Sequence, residues 1–304
     1  MRTKRLALGT FSANFTGKPI VGHNKTLYVF DVLTNEWSPV AFTLVNRYGA
    51  TCCNMGDVRL VISGGTRHGN TVEFLAINTN SFGNKIRNYP PKTQKYYNNT
   101  MIPCNNMIHL VQAFKHCSIN NFDVDCNASL QQTMFPSLMP IDVCYHVMIG
   151  LDENRVILIG GCDIDCCPSK KVFMGNLSKD ETDMYWNELC PMIMPRQEHL
   201  GFSLKNWIYV AGGIGPDDEV LCCCERYNIE ENKWESTSYQ LPYPLHEATA
   251  VVGKNEDFVL ITGGMKNKKQ ISDKLIVFTE KCGFSEIDKF SLKVRRYGHV
   301  CVIY

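Results

Sequence analysis

The sequence predicts an all-β chain of six repeated four-stranded units, arranged as a six-bladed β-propeller, and three observations carry that reading. An apolar, β-branched run closed by Gly-Gly recurs as LVISGG at 60–65, VILIGG at 156–161, IYVAGG at 208–213 and VLITGG at 259–264. The spacing is regular, with 52 residues from Gly161 to Gly213, 51 from Gly213 to Gly264, and 96, or twice 48, from Gly65 to Gly161. Helical periodicity is persuasive nowhere, whereas period-two alternation is frequent.

The unit missing between 65 and 161 is found at MIHLVQA, 107–113, where Gln112-Ala113 takes the diglycine position behind an intact apolar run. Counting round the chain ends from Gly264 reaches LALGT, 6–10, with Gly9-Thr10 in register, so six units use residues 1–304 as one domain. In each unit the first strand follows a turn with Arg or His: RYGATCC from Arg47, RQEHLGFSL from Arg196, LHEATAVVG from Leu245 and RYGHVCVIY from Arg296. The Gly-Gly run is the second strand. The third alternates apolar and polar residues, as in TLYVFDV at 26–32, TVEFLAI at 71–77, KVFMGNL at 171–177, CCERYNI at 223–229 and KLIVFT at 274–279. The fourth begins near an aromatic. Phe30 to Trp37 and Tyr227 to Trp234 share a spacing of seven across the turn formers LTN and IEEN, which predicts a hairpin between strands three and four.

Blades of this kind bury one another's apolar faces by stacking radially. The pairs Gly64-Gly65, Gly160-Gly161, Gly212-Gly213 and Gly263-Gly264 are expected where the backbone turns close to a neighbouring blade, because a residue without Cβ permits both the dihedrals and the approach. Trp37 and Trp234 are expected to fill the wider gaps between outer strands. The last strand, RYGHVCVIY, has no Gly-Gly strand of its own, so it is expected to join strands two to four drawn from residues 4–40 and clasp the ring.

The remaining composition is that of an ordinary globular chain, 44% hydrophobic and 20% charged, with 31 Lys+Arg against 30 Asp+Glu and a net charge of +1. That balance argues against a nucleic-acid partner, which calls for a basic excess or stripe. No apolar run is long enough for a membrane helix and no secretory signal opens the chain, so a cytoplasmic location without membrane contact is expected. The fifteen cysteines are read as reduced thiols filling a core, and the five Asn-x-Ser/Thr sequons as chance matches.

The apolar run with Gly-Gly and the aromatic pair seven residues apart resemble the kelch repeat family, and the resemblance runs through all 304 residues, weakest at Gln112-Ala113. It implies a propeller, and the chain resembles the kelch domains of BTB-kelch adaptor proteins. The first blade strand lies a few residues after Met1, which leaves no room for a BTB, F-box or methyltransferase domain; a lone propeller or an excised domain is expected. By the register of those relatives, loops between strands four and one would gather at one mouth Arg47, Tyr48, Tyr97, Arg196, Gln197, His246, Arg296 and Tyr297. Loops between strands two and three would add Arg67, His68, Asp163, Asp165, Asp217 and Asp218. Arg and Tyr often carry interface energy. The arginines also recur at one repeat position, so a turn-holding role stands beside the binding one, and His199 and His299 are read as structural.

No catalytic motif is present. GCDIDCCP at 161–168 has a CxxxCC spacing with no matching second pair, and the CCC run at 222–224 alternates across a strand, so no metal or other cofactor is expected. The function expected is a noncatalytic protein-interaction module that takes a protein or peptide at one mouth. It would serve substrate recognition for a cullin-type ubiquitin-ligase adaptor or act as a free-standing kelch protein. The alternatives are an actin-binding, cytoskeletal kelch protein or the accessory propeller of an RNA-modifying methyltransferase.

Overall fold

The computed structural model describes strand backbone between Pro19 and Leu138, and backbone with side chains from 140 to 295 apart from 142, 153, 164, 179–182, 254–255, 268 and 293–294, with side chains at 288–290 also excepted; it adds the strand Cys301–Ile303. The chain divides into two compact units, residues 98–246 and residues 1–97 with 247–304.

In the unit 1–97 with 247–304, the strands are β1 (Pro19–His23), β2 (Thr26–Asp31), β3 (Glu36–Phe42), β4 (Ala50–Met55), β5 (Arg59–Gly64), β6 (Thr71–Ala76) and β7 (Lys85–Asn88). In the unit 98–246 follow β8 (Thr100–Cys104), β9 (Met107–Val111), β10 (Ser118–Asp123), β11 (Gln132–Leu138), β12 (Val147–Gly150), β13 (Arg155–Ile159), β14 (Val172–Leu177), β15 (Met184–Glu188), β16 (Leu200–Leu204), β17 (Trp207–Ala211), β18 (Cys223–Asn228) and β19 (Lys233–Gln240). The chain ends with β20 (Thr249–Val252), β21 (Val259–Thr262), the small hairpin β22 (Met265–Asn267) and β23 (Gln270–Ile271), then β24 (Lys274–Thr279), β25 (Gly283–Ser291) and β26 (Cys301–Ile303). Among the described residues these form six antiparallel four-stranded sheets: β4–β7, β8–β11, β12–β15, β16–β19, β20-β21-β24-β25, and β26-β1-β2-β3.

The last sheet joins the C-terminal strand to three N-terminal ones, Val302 opposite Ile20. Its second strand is Pro19–His23, not LALGT; residues 6–10, with Gly9-Thr10, lie outside the described residues. The physical reason is local: Ile20 and Val21 fold straight back on Val29 and Tyr28 across a turn closed by His23 opposite Thr26, a pairing of very small sequence separation. Counting residues from a distant glycine carries no such energy.

Burial explains the sequence pattern. The second strands are continuous apolar runs because both faces are covered: Val156, Ile157, Leu158 and Ile159 in β13 and Ile208, Tyr209, Val210 and Ala211 in β17 are all buried. The fourth strand β19 instead alternates, with Trp234 buried and its neighbours outward. Ile157, Ile159, Val172 and Met192 pack with Ile208, Val210, Tyr227 and Trp234, a core shared by two consecutive sheets. At its inner edge Gly201 faces Val147 of β12 so closely that a Cβ would collide with the valine side chain.

The diglycines are joints. Their φ angles repeat as +59° and +94° at Gly160 and Gly161, +64° and +89° at Gly212 and Gly213, and +61° and +88° at Gly263 and Gly264. Gly161 N donates to Arg196 O at 2.9 Å and Gly213 N to Leu245 O at 2.9 Å, so each second glycine binds the carbonyl of the next unit's entry loop. A Cβ on Gly213 would stand 2.6 Å from Gln197 O. Gly65 lies outside the described residues, and Gly64 ends β5.

Gly213→Ala is expected to lower unfolding free energy by about 2 kcal/mol or more, since left-handed backbone and collision add. Gly215→Ala, whose Cβ would have the flexible Glu219 side chain as its nearest neighbour, should cost much less. Urea titration of both variants checks this; equal midpoints would show that Gly213 is no joint.

Candidate functional site

The loop entering β16 is built around Arg196, whose side chain is 0% exposed. Its five N–H donors make five hydrogen bonds to four acceptor atoms. Nε and Nη2 reach Glu225 Oε1 at 3.2 and 2.7 Å, Nη1 reaches Gly212 O at 2.8 Å and Cys223 O at 3.1 Å, and Nη2 also reaches Cys223 Sγ at 3.0 Å. Glu225, on β18, accepts in addition from the backbone N–H groups of Ile193 at 2.7 Å and Met194 at 3.1 Å. A buried ion pair is tolerable only when its donors and lone pairs are satisfied this fully. The Arg196 main chain meanwhile holds the preceding sheet, donating to Ser169 O at 3.0 Å and accepting from Gly161 N at 2.9 Å. One residue therefore ties two sheets.

This corrects the expectation that Arg196 lines a partner surface: it is enclosed, and its charge is spent on Glu225. Gln197 and His246 are buried too. The Gln197 backbone exchanges hydrogen bonds with Ile214, at 3.1 and 2.8 Å, and His246 Nδ1 lies 2.7 Å from Glu198 Oε2. Arg47, Tyr48, Arg67, His68, Tyr97, Arg296 and Tyr297 lie outside the described residues. Asp163, Asp165, Asp217 and Asp218 are exposed, on the loops following Gly161 and Gly213. Asp163 organises the first of these loops, its Oδ1 accepting from Asp165 N at 3.0 Å and Cys167 N at 2.9 Å. The second closes with Gly215 N on Glu219 O at 2.9 Å.

The sheet edge away from the diglycines is held by aromatics. Tyr227 stands opposite Trp234 in the β18–β19 register, ring centroids 5.1 Å apart. Trp234 Nε1 donates to Cys190 O at 2.9 Å, and Asn232 Oδ1 accepts from both Tyr227 Oη at 2.7 Å and Cys190 N at 2.8 Å. Phe30 and Trp37 are register partners between β2 and β3, the same hairpin relation. Of the CCC run, Cys223 Sγ meets Arg196 while Cys224 Sγ donates to Glu225 O at 3.7 Å, so the thiols diverge; burial pushes Cys224 up to about 12.

His146 and His199 hold equivalent repeat positions over the joints, a Cβ on Gly160 being 2.8 Å from His199 Cε1 and one on Gly161 3.0 Å from His146 Cβ. Among the described residues, the His199 ring nitrogens have no hydrogen-bond partner. Burial lowers His146 to about 4, and burial, with Arg196 and His146 adding, lowers His199 to about 3. Both imidazoles are neutral packing groups. Glu225 was not singled out from the sequence, since a charged residue on an alternating strand reads as outward-facing; its repeat equivalent Glu73, in the unit that also carries Arg47, is the signal that points to it.

Residues 196–238, which contain Arg196, Gly212-Gly213, Glu225 and the Tyr227–Trp234 pair, match the Kelch motif family model. Through this segment the chain resembles kelch-repeat proteins. It is 30% identical over 125 residues to Kelch-like protein 15 of Gallus gallus, covering 38% of this chain and 23% of that protein. It is 30% identical over 111 residues to Kelch-like protein 38 of Homo sapiens, covering 36% and 18%. Kelch-like protein 41a of Danio rerio is 33% identical over 97 residues, covering 32% and 15%. The matches thus span less than a quarter of each of these relatives' own length. A solved structure described as "Structure of YjhT" superposes on this chain with a TM-score of 0.73 at 14% identity, covering 94% of this chain and 99% of that one, a likeness of fold.

Arg196→Ala is expected to cost about 3–5 kcal/mol of stability, because it strands Glu225 without its counter-charge. Arg196→Lys should recover only part, lacking the fork that spans Glu225 and Gly212. Chemical denaturation of both variants measures this, and wild-type midpoints would show the clamp to be idle. Acid should also weaken the fold: unfolded histidines take up protons near 6.5, but His146 and His199 in the fold only near 4 and 3. The stability retained by their neutral forms at pH 7 is therefore lost as pH falls below about 6.5. Thermal melts from pH 7 to pH 4.5 should show Tm falling, less so in His199→Leu; an identical fall in that variant would assign acid sensitivity elsewhere.

Proposed function

We propose that this chain is a noncatalytic protein-interaction module whose partner contacts are made by the exposed loops between second and third strands. The observation carrying this reading is the contrast at the diglycine edge: Arg196, Gln197 and His246 are turned inward to hold the sheets, while Asp163, Asp165, Asp217 and Asp218 stand in solvent on consecutive loops. A rigid scaffold presenting variable loops is a common way to build a binding face. With Arg196 neutralised by Glu225, the local chemistry favours a partner segment bearing Lys or Arg over one bearing carboxylates.

In this reading the six sheets are the blades of a closed propeller, with β26 as its clasp. The sheet β26-β1-β2-β3, which joins the C-terminal strand to three N-terminal ones, supports that closure, as does a fold likeness extending over nearly the whole chain. A role in substrate recognition for a cullin-type ubiquitin-ligase adaptor in the cytoplasm is the finer proposal, supported by the similarity to the Kelch-like relatives.

The test is affinity capture from reducing cytosolic extract with the wild type, a double Asp165→Lys and Asp217→Lys variant, and Arg196→Lys. The loop variant should keep its Tm yet lose recovery of a specific partner by about tenfold, with wild-type recovery falling as salt rises. A partner retained by the loop variant would move the binding face elsewhere.

A further inference from the structure

Next to the loop Asp163–Cys167 lies a feature that neither the fold nor partner binding uses. Cys144, before β12, and Cys162, just after Gly161, form an isolated antiparallel bridge in which each backbone N–H donates to the other's carbonyl, at 2.9 and 2.8 Å. Such a doubly hydrogen-bonded pair holds its Cα atoms at about 5.5 Å, inside the range that disulfides span. The side chains already converge: the two Sγ atoms are 3.2 Å apart, both cysteines are buried, and neither is in a disulfide. The next unit has Gln197 and Ile214 at the equivalent bridge, so the geometry is general and the dithiol particular to this joint.

We propose that Cys144 and Cys162 are a disulfide-forming pair, with the exposed Cys166 as the thiol through which oxidising equivalents enter. The loop supports the entry role. Cys166 is exposed, with φ +61°, in a turn where its N–H donates to Asp163 O at 3.1 Å, and its thiol lies near enough to Cys162 that the two interact. Both thiols are pushed up, Cys162 by its hydrogen bond with Cys144 and by burial, and Cys166 by the neighbouring Cys162, so accessibility separates them: Cys162 is buried away from a small oxidant in solvent and Cys166 is exposed to it.

The sequence of exchanges balances with a low-molecular-weight disulfide such as oxidised glutathione. The Cys166 thiolate attacks it, forming a mixed disulfide and releasing one thiol. Cys162 displaces the second thiol from Cys166, and Cys144 then attacks Cys162, returning Cys166 to its reduced form. The net change is one small disulfide reduced to two thiols and one protein dithiol oxidised, with two protons moved to the released thiols.

The test incubates native protein with oxidised glutathione, quenches in acid, alkylates under denaturing conditions and maps peptides without reduction. The expected product is a Cys144–Cys162 linkage in the wild type, with raised Tm reversed by dithiothreitol. Cys166→Ser should form the same linkage roughly tenfold more slowly. Cys144→Val should keep its fold by circular dichroism and stop at a Cys162–Cys166 linkage or a Cys166 mixed disulfide. Full alkylation of Cys144 and Cys162 after oxidation overturns the pair, and an unchanged rate in Cys166→Ser overturns the entry thiol.

Discussion

The architecture depends on how one sheet is fastened to the next. A four-stranded sheet of this size has two apolar faces and cannot be stable alone, so the energy of the fold is released only when neighbours approach. Approach at the diglycine edge requires backbone without Cβ atoms, and it creates a second demand, because backbone polar groups are enclosed there. Gly161 and Gly213 meet both demands together. Their positive φ angles aim an N–H at the entry carbonyl of the following unit, where a side chain would collide. Arg196 completes the fastening where it occurs, directing five donors at enclosed oxygens and a sulfur.

The same economy explains which residues are left for function. A polar side chain recruited to a joint is removed from the surface, and Arg196, Gln197 and His246 are all removed in this way. What stays in solvent is the length of loop that each unit adds after its diglycine, short and tied at both ends. Ser169 N on Gly161 O at 2.7 Å and Leu221 N on Gly213 O at 2.8 Å return the chain to the same glycine it left, so loop sequence can vary without disturbing the sheets.

Much of the fold was legible because it is written in repetition. The apolar runs before Gly160, Gly212 and Gly263 appear as buried strands, and the aromatic pairs Phe30–Trp37 and Tyr227–Trp234 as register partners. Two things were not legible, for physical reasons. The second strand of the sheet β26-β1-β2-β3 was set by a hairpin closing at His23 and Thr26, a local pairing to which the spacing of glycines is blind. The inward direction of Arg196 depends on a carboxylate 29 residues later, and nothing local distinguishes a guanidinium aimed at solvent from one aimed at Glu225. Recurrence at one repeat position was compatible with both roles, and only the geometry separates them.

The most direct test of this fastening is amide hydrogen exchange at the joints, resolved by residue in the reduced protein. If the diglycine contacts hold the sheets together, the N–H groups of Gly161 and Gly213 exchange only through global unfolding, as slowly as those of Ile157 and Ile208, while those of Asp165 and Asp217 exchange rapidly. Gly161 and Gly213 exchanging at loop rates while the strands stay protected would contradict it.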